Sequence, residues 1–136
     1  MLRPIVGFFA GLMVAVVVVA LTEQLGHAAF PPPIEVERDQ AAMAAYMASA
    51  PFAALLFPLI GLVAGAFLGG WVAAFLGRRR HRLLGTLVGL AILGLGGLNM
   101  LMIPHPVWFM ILAVMLVVPA GWMGGNMAAP DEQPAA

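Results

Sequence analysis

The chain has 136 residues, of which 63% are hydrophobic and only 9% are charged, and its six arginines balance six acidic residues. Soluble domains are about half apolar and about a quarter charged, so this composition calls for an apolar solvent. A net charge of zero argues against nucleic acid as a partner. The absence of Cys excludes disulfides, thiol catalysis and thiolate metal sites.

Four apolar runs are long enough to cross a bilayer, whose ~30 Å hydrocarbon core needs about 20 helical residues. The predicted spans are residues 5–22, 52–76, 83–103 and 107–127. Each span must be helical, because lipid offers no partners for backbone hydrogen bonds. The sequence therefore predicts an all-α fold, with residues 1–127 forming one integral membrane four-helix bundle.

The first run also has features of a secretory signal. Arg3 would supply the basic region, and Gly26-His27-Ala28-Ala29 is a candidate cleavage site. Because the apolar stretch is longer than the core of a typical signal peptide, we favour a retained membrane span.

The loop at residues 23–51 is expected to carry a short helix of its own. Pro31-Pro32-Pro33 favours extended backbone, and Asp39 then occupies a typical N-cap position before ten residues rich in helix formers. Tyr46 is a natural anchor for a membrane surface. These features predict a short interfacial helix in the first outer loop.

Arginines set the expected orientation, because basic residues stay on the cytoplasmic side. The turn between the second and third spans contains Arg78, Arg79, Arg80 and Arg82, whereas the loop at residues 23–51 contains only Arg38. Both termini and the arginine turn are therefore expected in the cytoplasm, with residues 128–136 as a disordered tail. Helical spans favour a bacterial inner membrane. The arginines could also attract anionic lipid headgroups, and lipids are the partners we expect first.

Small residues recur four apart in every predicted span, which is typical of helices whose backbones approach closely in lipid. The rows are Gly7 and Gly11, then Gly61, Gly65 and Gly69, then Gly85 and Gly89, and finally Gly121 and Gly125. The sequence leaves open whether each row packs within the chain or against a second copy.

Four polar residues are expected together at the outer boundary: Glu23, His27, Asn99 and His105. Glu23 and His27 share a face if the first helix continues through Gly26. The set could bind a divalent metal such as zinc, or relay protons, whereas haem ligands in bundles usually sit deeper. We favour the plainer interpretation, in which these side chains are solvated, cap a helix end or hydrogen-bond between helices.

Three functions are compatible with this pattern. We favour a non-enzymatic membrane protein, either an accessory or assembly subunit or a homo-oligomer packed through its glycine rows. No ionisable residue lies at a span centre, where ion-coupled transporters usually place one, and no nucleotide-loop, metalloprotease or nucleophile motif appears. The alternatives are an oligomeric transporter or channel, and a metal- or proton-binding site at the outer face.

Overall fold

A computed structural model describes residues 2–33, 36 and 39–129. Its helices are α1 (Leu2–Ala29), α2 (Gln40–Ser49), α3 (Phe52–Gly77), α4 (His81–Met102) and α5 (Val107–Met127). All except α2 are long and apolar enough to cross a membrane. The predicted all-α four-helix bundle with one additional short helix is confirmed.

Helix α1 is longer than the predicted span, which was expected to end at Thr22. The apolar run does end there, but the residues that follow still favour a helix, and the chain stays helical up to Ala29. The prolines from Pro31 onward then stop it, because proline disfavours helical backbone in the residue before it. An apolar run therefore gives the minimum extent of a helix and does not mark its end.

The extension of α1 packs against the start of α3. A Cβ on Gly26 would lie 2.8 Å from the Cβ of Phe57, so only a glycine allows this approach. The rings of Phe30 and Phe57 also meet edge to face, with their centroids 6.1 Å apart. These contacts give the polar last turns of α1 a fixed position relative to α3.

Helix α2 begins at its expected N-cap. Asp39 has extended backbone, and its carboxylate accepts a 3.1 Å hydrogen bond from the amide of Ala41. The position of α2 at a membrane surface stays a prediction. The acidic residues Glu35 and Glu37 and the tail from residue 130 lie outside the described residues.

Helix α3 is the centre of the bundle, since it packs against α1, α4 and α5. Helix α5 also packs against α4, whereas α1 reaches α4 only slightly. We call the end of the bundle that carries α2 the α2 end and the opposite end, with the connection at Arg78–Arg80, the arginine end. Helices α3 and α5 run toward the arginine end, and α1 and α4 run away from it.

The first glycine rows bring α1 and α3 into contact. The small residues in this contact are Gly7, Gly11 and Ala15 of α1 and Gly61, Gly65 and Gly69 of α3. A Cβ on Gly69 would lie 2.5 Å from the carbonyl oxygen of Gly11, and one on Gly65 would lie 2.8 Å from that of Ala15. No side chain fits at Gly65 or Gly69 without moving a helix.

The remaining rows join α4 to α5. A Cβ on Gly121 would lie 2.5 Å from the carbonyl oxygen of Gly85, and one on Gly125 would lie 2.5 Å from that of His81. A Cβ on Gly89 would have slightly more room, because it would lie 3.1 Å from the carbonyl oxygen of Val117 in α5. Every glycine row noted in the sequence therefore meets a helix of the same chain.

Doubled glycines let one helix meet two neighbours at one level. Gly69 faces α1, while a Cβ on Gly70 would lie 2.5 Å from the carbonyl oxygen of Gly121 in α5. Likewise Gly125 faces α4, while Gly124 lies against the carbonyl of Phe67 in α3. Adjacent helical residues point about 100° apart, so a glycine pair opens two faces. Gly70 and Gly124 were not among the predicted packing positions, although the pairing was visible in the sequence.

Candidate functional site

The structure places Glu23, His27, Asn99 and His105 at the α2 end. Because α1 continues through Gly26, Glu23 and His27 sit on adjacent turns of one helix. Glu23, His27 and Asn99 are exposed, and His105 is partly buried. Among the residues that the structure describes, Glu23 and His27 form no hydrogen bond or ion pair.

His105 is held by its own turn and by the helix that follows. Its Nδ1 lies 2.6 Å from the carbonyl oxygen of Ile103. A carbonyl only accepts, so Nδ1 carries the hydrogen and Nε2 is the acceptor of the neutral ring. The ring also lies on Phe109, at 4.9 Å between centroids, and Phe109 is only 1% exposed. The imidazole is thus oriented by a hydrogen bond on one side and a buried ring on the other.

A first cavity of about 220 Å³, the lateral cavity, lies between α1 and α4. Its walls are mostly apolar, with Val16 and Val19 from α1, Leu62 from α3, and Ile92 and Leu95 from α4. Its polar residues are Glu23, Asn99 and His105. The cavity therefore combines a long apolar wall with one polar end.

A second cavity of about 230 Å³, the end cavity, lies under α2. Tyr46 and Met47 of α2 cover it, and His27 lines it together with the three polar residues of the lateral cavity. We call Glu23, Asn99 and His105 the polar junction, because these three side chains line both cavities. All four predicted polar residues thus line the end cavity, and three of them also line the lateral cavity.

A metal ion needs all its ligands at about 2.0–2.3 Å from one point. Over the described ranges of the chain, no three His, Asp or Glu side chains are grouped closely enough to hold an ion. The polar residues stand on the walls of an open space instead. This arrangement suits a molecule with its own polar atoms better than a bare cation.

Two further residues line the cavities without having been predicted as part of the site. Pro58 of α3 lines both cavities, and Gly96 of α4 lines the lateral cavity. A Cβ on Gly96 would meet only the side chain of Leu62, at 3.3 Å. Neither residue has a chemical group that would single it out, so only the fold reveals its place.

The arginines at the other end have different roles. The Nε of Arg82 donates a 2.8 Å hydrogen bond to the Oδ1 of Asn126, and its guanidinium lies 5.9 Å from the centroid of Trp122. Arg82 thereby ties α4 to α5. Arg78 and Arg80 hold the connection in left-handed backbone, with φ of 55° and 52°. These two side chains are exposed, as is that of Arg79.

Four helices of spanning length and composition define a multi-pass membrane protein. The chain matches no protein-family model, no curated protein and no solved structure. Its function therefore has to be argued from the two cavities and the residues at their boundary.

Proposed function

We propose that this chain is a non-enzymatic accessory subunit of a membrane protein complex, and that its α2 end binds a small ligand at the polar junction. One observation carries the proposal. Glu23 of α1, Asn99 of α4 and His105 of the α4–α5 connection come from three segments and line the same two cavities. Because the arginines are concentrated at the opposite end of the bundle, we propose that the α2 end lies at the outer face of a bacterial inner membrane.

The chemistry of the polar junction supports binding. A carboxylate, an amide and an imidazole can orient a ligand through hydrogen bonds, and mostly apolar walls supply contact area. These three residues are sufficient to bind a ligand, whereas catalysis would also need an activated nucleophile or a general base.

The packing at the arginine end supports a subunit over a channel. The lateral cavity reaches as far as Val16 and Ile92, and beyond that level the helices meet backbone to backbone. A path across the bilayer would therefore have to run between copies of the chain. The glycine rows already contact helices of the same chain, so an assembly would use other faces. We expect proteoliposomes containing the protein to show no ion flux above that of protein-free vesicles.

The test is native mass spectrometry of the protein released from its own membrane in mild detergent. Wild type should carry a bound non-protein mass at a fixed ratio. The double variant Glu23→Gln, Asn99→Leu should retain at least tenfold less, because it removes the charge and one amide of the polar junction. Both residues are exposed, so the fold should be kept, which circular dichroism checks.

The matched control is Gln24→Leu, since Gln24 is exposed on the same helix and does not line the lateral or the end cavity. It should retain the bound mass of wild type. Equal retention by the double variant and the control would overturn the proposal. So would a wild-type protein that carries no mass beyond its detergent.

A further inference from the structure

The lateral cavity has the shape and the polarity of a binding site for a bilayer lipid. It extends from Glu23 to Val16 along α1 and from Asn99 to Ile92 along α4, which is about 10 Å of helix in each case. The polar residues lie toward the α2 end and the apolar ones toward the middle of the helices. A lipid in the leaflet at the α2 end has the same polarity along the helices, with its head near the helix ends and its tail near the bilayer centre.

The cavity opens toward the lipid-facing side of the bundle. Val16 and Leu95 both line the cavity and are exposed. Helices α1 and α4 touch little, and α4 has no buried residue beyond Ile92. A lipid tail can therefore enter sideways between α1 and α4 without passing through water.

The polar junction favours a head that donates hydrogen bonds. The carboxylate of Glu23 and the amide oxygen of Asn99 accept hydrogen bonds, and Nε2 of His105 is a third acceptor when Nδ1 donates to Ile103. A primary ammonium carries three N–H donors and the charge opposite to that of Glu23. A quaternary ammonium has the same charge but no N–H group.

We infer that the lateral cavity holds a lipid with a primary ammonium head, with its tail between α1 and α4 and its ammonium at the polar junction. This inference rests on the proposed function and names the ligand class of that same site. Ethanolamine phospholipids have this chemistry, and one of them serves as the probe in the experiment.

The experiment uses the full-length protein in nanodiscs that contain equal amounts of phosphatidylethanolamine and phosphatidylcholine with the same acyl chains. Native mass spectrometry after release counts each lipid that stays bound. Wild type should retain one ethanolamine lipid and at least tenfold less of the choline lipid. Glu23→Gln should lower retention of the ethanolamine lipid at least tenfold, because the charge pair is lost.

Gly96→Leu tests the tail position, since its side chain fills the lateral cavity and its Cβ meets only the flexible end of Leu62. It should also lose the ethanolamine lipid. Gly94→Leu is the matched control on the same helix, because a Cβ there meets nothing within 4 Å and Gly94 does not line the lateral cavity. It should bind as wild type does. Thermal melts of both variants check that they fold.

Equal retention of the two lipids by wild type would overturn the inference, and so would ethanolamine lipid that stays bound in Gly96→Leu. If a different bound mass is lost when Glu23 and Asn99 are changed, the inference fails but the proposed function stands. If no bound mass depends on those residues, both fail.

Discussion

The two halves of the bundle are built by different packing rules. In the half toward the arginine end, the buried residues are mostly Gly and Ala, and helices meet through their backbones. In the half toward the α2 end, larger side chains such as Leu55, Leu59 and Phe109 fill the centre, and two cavities remain. One half is closed by contact between main chains, and the other keeps the space in which a ligand can bind.

Helix α4 shows the difference along one element. Its Gly85 and Gly89 lie against α5, whereas Cβ atoms on Gly94 and Gly97 would meet nothing within 4 Å. The same residue type is therefore required in one half and free to change in the other. Because helix association in lipid depends on close packing, the first pair holds the bundle together and the second does not.

The largest expected effect comes from placing a methyl group where backbones meet. Gly121→Ala should lower the free energy of unfolding by about 3 kcal/mol, since its Cβ would lie 2.5 Å from the carbonyl oxygen of Gly85. Gly97→Ala should instead raise stability by about 0.5–1 kcal/mol, because alanine favours helix and meets no neighbour there. Unfolding in mixed SDS micelles measures both. Equal effects from the two variants would contradict the division into two halves.

Next is the loss of a large side chain from the half toward the α2 end. Phe109→Ala leaves a cavity beside His105 and should cost about 2 kcal/mol, less than the ~3–5 kcal/mol typical of soluble cores because lipid removes the transfer contribution. Phe9→Ala is the matched change on a residue that is 62% exposed, and it should have little effect. The same unfolding assay compares them. A small effect at Phe109 would mean that this half is not held by its bulky side chains.

A smaller effect is expected from relieving left-handed backbone at the arginine end. Arg80→Gly should be about 1 kcal/mol more stable than Arg79→Gly, because Arg80 has a φ of 52° and Arg79 does not have a positive φ. Both variants remove one arginine, so the charge change cancels in the difference. Thermal unfolding in detergent gives the two values. Equal stability would indicate that the connection relaxes to another conformation at little cost.

The smallest effect should be local to α2. Asp39→Ala removes the N-cap and should weaken α2 by about 1 kcal/mol, because the amide of Ala41 loses its acceptor. Hydrogen exchange at the first amides of α2 should quicken by roughly fivefold, while exchange in α3 stays unchanged. Faster exchange in α3 would show that α2 supports the bundle beyond covering the end cavity.

The sequence was sufficient to predict the helices, because long apolar runs leave the backbone no other choice in lipid. The predicted span at residues 5–22 stops short of the end of α1, since residues 23–29 are helical without forming an apolar run. The four-residue spacing singled out Gly85 and Gly89 in α4, and these two glycines do lie against α5, whereas Gly94 and Gly97 lie outside that row and do not.

The candidate site was predictable in part. The topology places Glu23, His27, Asn99 and His105 at one end, and the structure brings all four to one cavity. That three of them also border the lateral cavity depends on how far α1 and α4 stand apart. This separation is set by packing elsewhere in the bundle, so no local pattern in the sequence encodes it.

The contacts between main chains also limit which changes this protein can accumulate. A side chain that outgrows its place can be offset by trimming its neighbour, as long as the neighbour is also a side chain. At Gly121 the neighbour is the carbonyl of Gly85, which every amino acid carries. Trimming a neighbouring side chain cannot restore the fit there, so drift at Gly121 has no such compensating route. The half around the cavities can exchange volume between neighbours, and new ligand preferences would arise there.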